Sequence, residues 1–169
     1  MKLTSSTRFL LGSLSILLLA GLLVVFFPHG ARGEVVQAGQ SFTCTPTRVW
    51  DGDGPIWCAE GPRIRLAGVA ARETDGSCRP NHPCPAASAD QARNALASLV
   101  GRVTGRSREG HLLVRGPAMR CVSDGGAGGS RTAAWCSLSD GRDLSCAMVA
   151  TRTVARWPQF DRRARLVRC

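Results

Sequence analysis

The chain contains no tyrosine and a single lysine, Lys2. Without tyrosine, any stacking against a flat ligand falls to the tryptophans, Trp50, Trp57, Trp135 and Trp157. In a small domain the ordinary place for such rings is the core, and that is where they are expected. The shortage of lysine excludes a P-loop. Gly125-Gly126-Ala127-Gly128-Gly129 is not followed by Lys-Ser/Thr and does not open a helix after a strand, so it reads as a flexible hairpin tip. Charge is missing altogether from Phe9 to Phe27, and cysteine is missing before Cys44.

The uncharged run follows Lys2 and Arg8 and precedes Pro28, Gly30 and the small-x-small sequence Ala31-Arg32-Gly33. That order of basic, apolar and small residues is a secretory signal with a cut after Gly33. The run is also close to the length of an uncleaved membrane anchor, so attachment through residues 9–27 stays open beside it. Gly12, Ser13, Ser15 and Gly21 lower its hydrophobicity and favour cleavage. Either way the remainder is expected to be exported, to the periplasm or the medium.

All eight cysteines lie in that remainder, at 44, 58, 78, 84, 121, 136, 146 and 169. An even set behind an export signal implies disulfides, because the thiols meet an oxidising compartment. Cys78-Arg79-Pro80-Asn81-His82-Pro83-Cys84 reads as a small disulfide-closed loop. A zinc reading there would need a fourth ligand and a more usual spacing. Cys121 and Cys136 flank the glycine run and suit facing positions of a hairpin. Cys146 and Cys169 can tie the tail back onto a helix.

The chain is basic, with 22 Lys and Arg against 12 Asp and Glu. All but three of the basic residues follow residue 33, and every one of those is arginine. An arginine excess suits anionic partners, phosphates above all, through planar two-pronged hydrogen bonding. Codon bias explains arginine in place of lysine but not the sign of the net charge.

Ser41 to Trp50 alternates and carries Thr43, Thr45, Thr47 and Val49, as a strand does. Asp51-Gly52-Asp53-Gly54 is turn chemistry. Pro55 to Cys58 is extended again, and Arg63 to Val69 sets Ile64, Leu66 and Gly68 against Arg63, Arg65 and Ala67. Arg65 is then expected on the face opposite the core. Ala86 to Val100 is the clearest helix, with Ser88 or Asp90 at its start and Gly101 after its end. Arg102 to Thr104 pairs with His111 to Val114, and Arg120 to Val122 with Arg131 to Leu138. Asp143 to Ala150 and Pro158 to Val167 read as helices. The class is mainly β with α (α+β), a single domain over residues 41–169. Five or six short strands, about three helices and disulfides point to a small Greek-key barrel.

Val49-Trp50-Asp51-Gly52-Asp53, then Ile64-Arg65-Leu66-Ala67-Gly68-Val69 with Glu73, then Arg131 before small residues, and Asp143-Leu144 opening a late helix, resemble the staphylococcal nuclease (thermonuclease-like) family. The likeness runs from about Phe42 to Phe160 with order and spacing kept. It implies a five-stranded OB-fold barrel, monomeric, that hydrolyses DNA and RNA with calcium. Carried over by position, Asp53 is a calcium ligand and Glu73 the carboxylate that activates water. Arg65 and Arg131 are the pair that grips the phosphate. These roles suit the chemistry of phosphodiester cleavage, in which a base, a Lewis acid and arginine forks act together.

The chain also departs from that family. Ala70 stands where a second calcium-binding aspartate belongs, Arg72 where a proline belongs, and Gly54 where a threonine belongs. The tyrosines that clamp the nucleotide are missing. Asp51 or Asp75 is a candidate to make good the lost carboxylate, and a divalent metal other than calcium is an alternative. Two functions follow. One is an exported metal-dependent nuclease. The other is a thermonuclease-fold module, weakened or inactive, that binds nucleic acid or a protein partner at the envelope.

Overall fold

The computed structural model describes residues 33–169. The signal or anchor expected over residues 1–33 lies outside the described residues, Gly33 excepted. Among the described residues, no helix is long and apolar enough to cross a membrane.

Among the described residues the class is α+β, mostly strands with two α-helices and four disulfides. The elements run β1 (Ser41–Cys44), β2 (Pro46–Val49), β3 (Ile56–Cys58), β4 (Arg63–Leu66), β5 (Val69–Ala70), α1 (Ala89–Val100), β6 (Arg102–Arg106), β7 (Leu112–Arg115), β8 (Met119–Gly126), β9 (Thr132–Ser137), α2 (Leu144–Ala150) and β10 (Ala155–Arg156). Eight strands form one sheet in the order β1-β8-β9-β4-β3-β2-β7-β6, and β5 pairs separately with β10. This is a larger sheet than the five or six strands expected.

The run Ser41 to Trp50 is two strands rather than one. Pro46 has no N–H to continue a ladder, and the chain changes partner there: β1 pairs with β8, whereas β2 pairs with β3 and β7. Arg63 to Val69 is also divided. Gly68, at φ 75°, turns the chain away after Leu66, and Val69-Ala70 then pairs with β10. The helix expected over Pro158 to Val167 is instead two 3-10 turns, Pro158–Phe160 and Arg165–Arg168. Only Leu166 in that stretch is buried, so there is no apolar stripe to hold a helix against the body. Asp161 takes up the second turn by accepting from the Arg165 and Leu166 amides at 2.7 and 2.9 Å.

Helix α1 starts three residues later than expected, behind a capping box. Ser88 Oγ accepts from the Gln91 amide, and the Gln91 side chain accepts from the Ser88 amide at 2.8 Å. Its buried face, Ala92, Leu96, Ala97 and Val100, packs with Val49, Ile56, Ile64 and Leu66 of the sheet and with Leu144 and Met148 of α2.

The disulfides join Cys44 to Cys58, Cys78 to Cys84, Cys121 to Cys136 and Cys146 to Cys169. Cys121 and Cys136 are direct partners in the β8–β9 ladder. Replacing both with alanine is expected to lower stability by about 3 kcal/mol, because the bond closes a loop with a sequence separation of 15. Urea denaturation of the double variant checks this.

Candidate active site

The site is assembled by one turn, one strand end and one parallel pairing. The turn after β2 carries Asp51 and Asp53, both buried, at 6% and 8% exposure. Gly52 between them lies flat against α1. A Cβ there would overlap the Cβ of Ala92 and crowd that of Ala71. Glycine is thus required at position 52 by close approach and at position 54 by its φ of 115°. A Cβ at Gly54 would also meet the carbonyl oxygen of Ile64, so this backbone leaves no room for threonine. Gly52→Ala is expected to cost about 1–3 kcal/mol by overpacking and to displace the two carboxylates. Thermal denaturation reads the first effect, and binding to the groove described below reads the second.

Arg65 projects from β4 toward this turn. Its Nη2 pairs with Oδ2 of Asp53 at 2.8 Å, and its Nη1 donates to the carbonyls of Leu66 and Val69 at 2.7 and 2.8 Å. Its guanidinium also lies 5.6 Å from the Trp157 ring centroid. Guanidinium has five N–H donors, so Nε and one hydrogen on Nη2 remain for an outside anion. The same Oδ2 of Asp53 accepts from the Ala71 amide at 2.8 Å.

Asp51 Oδ1 accepts from the Asp53 amide at 3.2 Å. Burial first, and the charge of Asp53 second, push the Asp51 carboxyl up to about 8. Its side chain opens into a groove of about 340 Å³ lined also by Trp50, Trp57, Glu73, Arg79, His111 and Arg131. Glu73 there pairs with Arg79 of the Cys78–Cys84 loop at 2.7 Å. Arg131 enters because β4 runs parallel to β9, with Ile64 beside Thr132. Arg131 therefore sits level with Arg63, and its Nε donates to the Gly128 carbonyl at 3.2 Å. Another hollow of about 440 Å³, lined by Phe42, Arg120, Trp135 and Arg165 among others, holds none of Asp53, Arg65, Glu73 and Arg131.

Asp51, Glu73 and Arg131 thus share one groove, and the Asp53–Arg65 pair adjoins it through Asp51. Asp75 does not join them. It is exposed and caps the Ser77 amide at 2.8 Å. Of the two candidates to replace a carboxylate at Ala70, only Asp51 faces the site. Arg72 takes a structural role, donating to the carbonyls of Pro85 and Gly76, both at 2.9 Å, and so holding the loop between them.

The donor set decides what cation these residues suit. Ala70 is fully buried and offers no side-chain oxygen. Among the described residues, no group of three or more His, Cys, Asp or Glu side chains is placed to hold a metal. Calcium takes six to eight oxygens, whereas magnesium keeps several waters and is held by one or two carboxylates with substrate phosphate. Two adjacent carboxylates fit the second kind of ion better.

The tryptophans depart from expectation. Trp135 alone is in the core, at 3% exposure, with its Nε1 donating to Asp124 at 2.7 Å. Trp50, Trp57 and Trp157 are half-buried. The sequence reading also passed over His111, whose ring lies between Trp50 and Trp57 in the groove wall. The one available signal was its place at the head of the apolar run His111 to Val114. Comparison with protein families, with curated proteins and with solved structures finds no match to this chain.

Proposed function

We propose that this protein is an exported nuclease of the thermonuclease type, hydrolysing phosphodiesters of DNA or RNA, built on an OB-type Greek-key barrel. The observation that carries the reading is convergence. Asp51, Glu73 and Arg131, far apart in the chain, line one groove; the Asp53–Arg65 pair does not line it but is tied to it by the Asp53 amide, which donates to Asp51. In this reading Arg131 and the remaining Arg65 donors hold the phosphate oxygens. Glu73, released from Arg79, takes a proton from the attacking water. Asp51 and Asp53 are the residues that would hold a partly hydrated divalent cation, which when bound supplies Lewis acidity at the phosphoryl oxygen. Calcium, the ion implied by the family resemblance, is expected to support less activity than magnesium or manganese.

The test incubates purified, oxidised protein with single-stranded DNA and RNA in Ca²⁺, Mg²⁺, Mn²⁺ or chelator. Cleavage that needs the metal and falls about 10²–10⁴-fold in Glu73→Gln supports the proposal. Cleavage indifferent to chelator and to that substitution would sink it. A second reading, a module that binds nucleic acid without cutting it, is favoured by the commitment of Asp53 Oδ2 to Arg65 and Ala71. Binding that weakens steeply with salt, without cleavage in any metal, selects that reading.

A further inference from the structure

We propose that the Trp50–His111–Trp57 cluster is a nucleobase-stacking subsite, so that the groove takes an unpaired strand in preference to a duplex. This deepens the reading of the groove as a nucleic-acid site and rests on it.

The argument starts from strand alternation. Val49, Ile56, Ile64 and Leu112 face the core, so their neighbours face outward. In register across the sheet, Arg63 lies beside Trp57, Trp57 beside Arg48, and Arg48 beside Leu113. Trp50 lies two residues beyond Arg48 and His111 two residues before Leu113, which returns both to that outer face. The rings meet there. His111 is 4.8 Å from Trp50, tilted at 53°, and 4.5 Å from Trp57, edge-on at 77°. The Arg63 guanidinium sits 5.7 Å from the Trp57 centroid and donates to Ser130 Oγ at 3.1 Å, next to Arg131.

Cross-strand ring contacts of this kind help hold a sheet together, and this cluster does so on the face opposite the core, half-buried, in the wall of the groove that also holds Glu73, Glu109 and Arg131. The His111 ring is held by Ser107 Oγ at 3.0 Å. Burial and the charge of Arg48 keep it below the ordinary imidazole range, so at neutral pH it is an uncharged flat surface. Aromatic faces beside arginines suit a ligand with a flat ring attached to a negative charge. A nucleotide within a strand has that form. Stacking needs an unstacked base, and a base inside a duplex is already covered on both faces. Without tyrosine in the chain, these rings are the aromatic surface available on this side of the groove.

The test measures binding by fluorescence anisotropy in chelator, so that nothing is cut. The probes are a labelled oligothymidine, an abasic oligomer of equal length and a duplex. Wild type is expected to bind oligothymidine about tenfold more tightly than the abasic strand, and to disfavour the duplex. Trp50→Leu and Trp57→Leu, which fill space without offering a π face, should each weaken oligothymidine about tenfold and leave the abasic strand unchanged. Trp57→Phe should keep most of the affinity. Arg131→Ala should weaken both strands and lower the salt slope. Equal affinity of wild type for the abasic strand and oligothymidine overturns the stacking subsite whatever the variants do. If Arg131→Ala still weakens binding in that case, the groove reading survives alone. Wild type that binds none of the three probes overturns both.

Discussion

Arg65→Ala is expected to lower the stability of the folded protein by about 3–5 kcal/mol. The guanidinium is the partner of Asp53 at 2.8 Å, with the two side chains only 14% and 12% exposed. Removing it leaves a buried carboxylate with the Ala71 amide alone, and frees the carbonyls of Leu66 and Val69 from their Nη1 donor. A buried charge stripped of its partner is far more costly than a pair replaced as a unit. The double variant Arg65→Met/Asp53→Asn is therefore expected to regain most of the loss. Urea denaturation of the wild type, both single variants and the double variant gives the coupling directly. A loss below about 1 kcal/mol for Arg65→Ala would mean that the pair is exchanged for water at little cost. It would also mean that Arg65 is free to serve the groove.

The second large effect is a fall in stability with rising pH, centred on Asp51. Its carboxyl titrates at 3.8 in an unfolded chain and is pushed up to about 8 in the fold, by burial and then by Asp53. Between those values the folded state holds the proton and the unfolded state does not. Stability is full below the lower value and is lost as pH rises through the interval. Over that interval the loss is on the order of 6 kcal/mol at most. Asp51→Asn keeps a neutral side chain at all pH values, so it is expected to flatten the profile and to be the more stable form near pH 8. Thermal denaturation in chelator from pH 4 to pH 8 compares the two. Parallel profiles would show that Asp51 is ionised in the fold throughout. Added Mg²⁺ should raise the wild-type melting temperature at pH 8 and leave Asp51→Asn less affected, since a cation bound only by the folded state stabilises it.

Local features were legible wherever a single chemistry decided them. Ser88 capping α1, Asp143 capping α2, the paired Cys78 and Cys84, and Cys121 facing Cys136 each depend on residues close together or on one hairpin. The C-terminal segment misled because arginine and alanine have high helix propensity. Propensity is weak without an apolar face to bury, and only Leu166 supplies one there. The break of the first strand at Pro46 was visible as a proline. That it sends β1 and β2 to different neighbours was not, because partner choice depends on the whole sheet.

The site divides in the same way. Asp53, Arg65, Glu73 and Arg131 were nominated by type and spacing, and the loss of a carboxylate at Ala70 was plain in the sequence. The choice of Asp51 over Asp75 as the second acid belongs to the tertiary structure. Both are aspartates beside glycines, and only packing of Gly52 on α1 buries one of them. The placing of three tryptophans outside the core, two of them with His111 in the groove wall, was equally out of reach, since it follows from strand register across β3, β2 and β7.

By itself, then, the sequence determined an arginine-rich, disulfide-held α+β domain after an uncharged apolar run, with its turns, caps and candidate acids and bases in order. Those properties depend on composition and on neighbours in the chain. Tertiary structure alone decided that Arg65 pairs with Asp53 and that Glu73 is held by Arg79. It also decided that Asp51, Arg131 and a pair of tryptophans meet around one groove. The meeting of Arg131 with Asp51 and Glu73 joins segments whose separation in the chain carries no information about their distance in space.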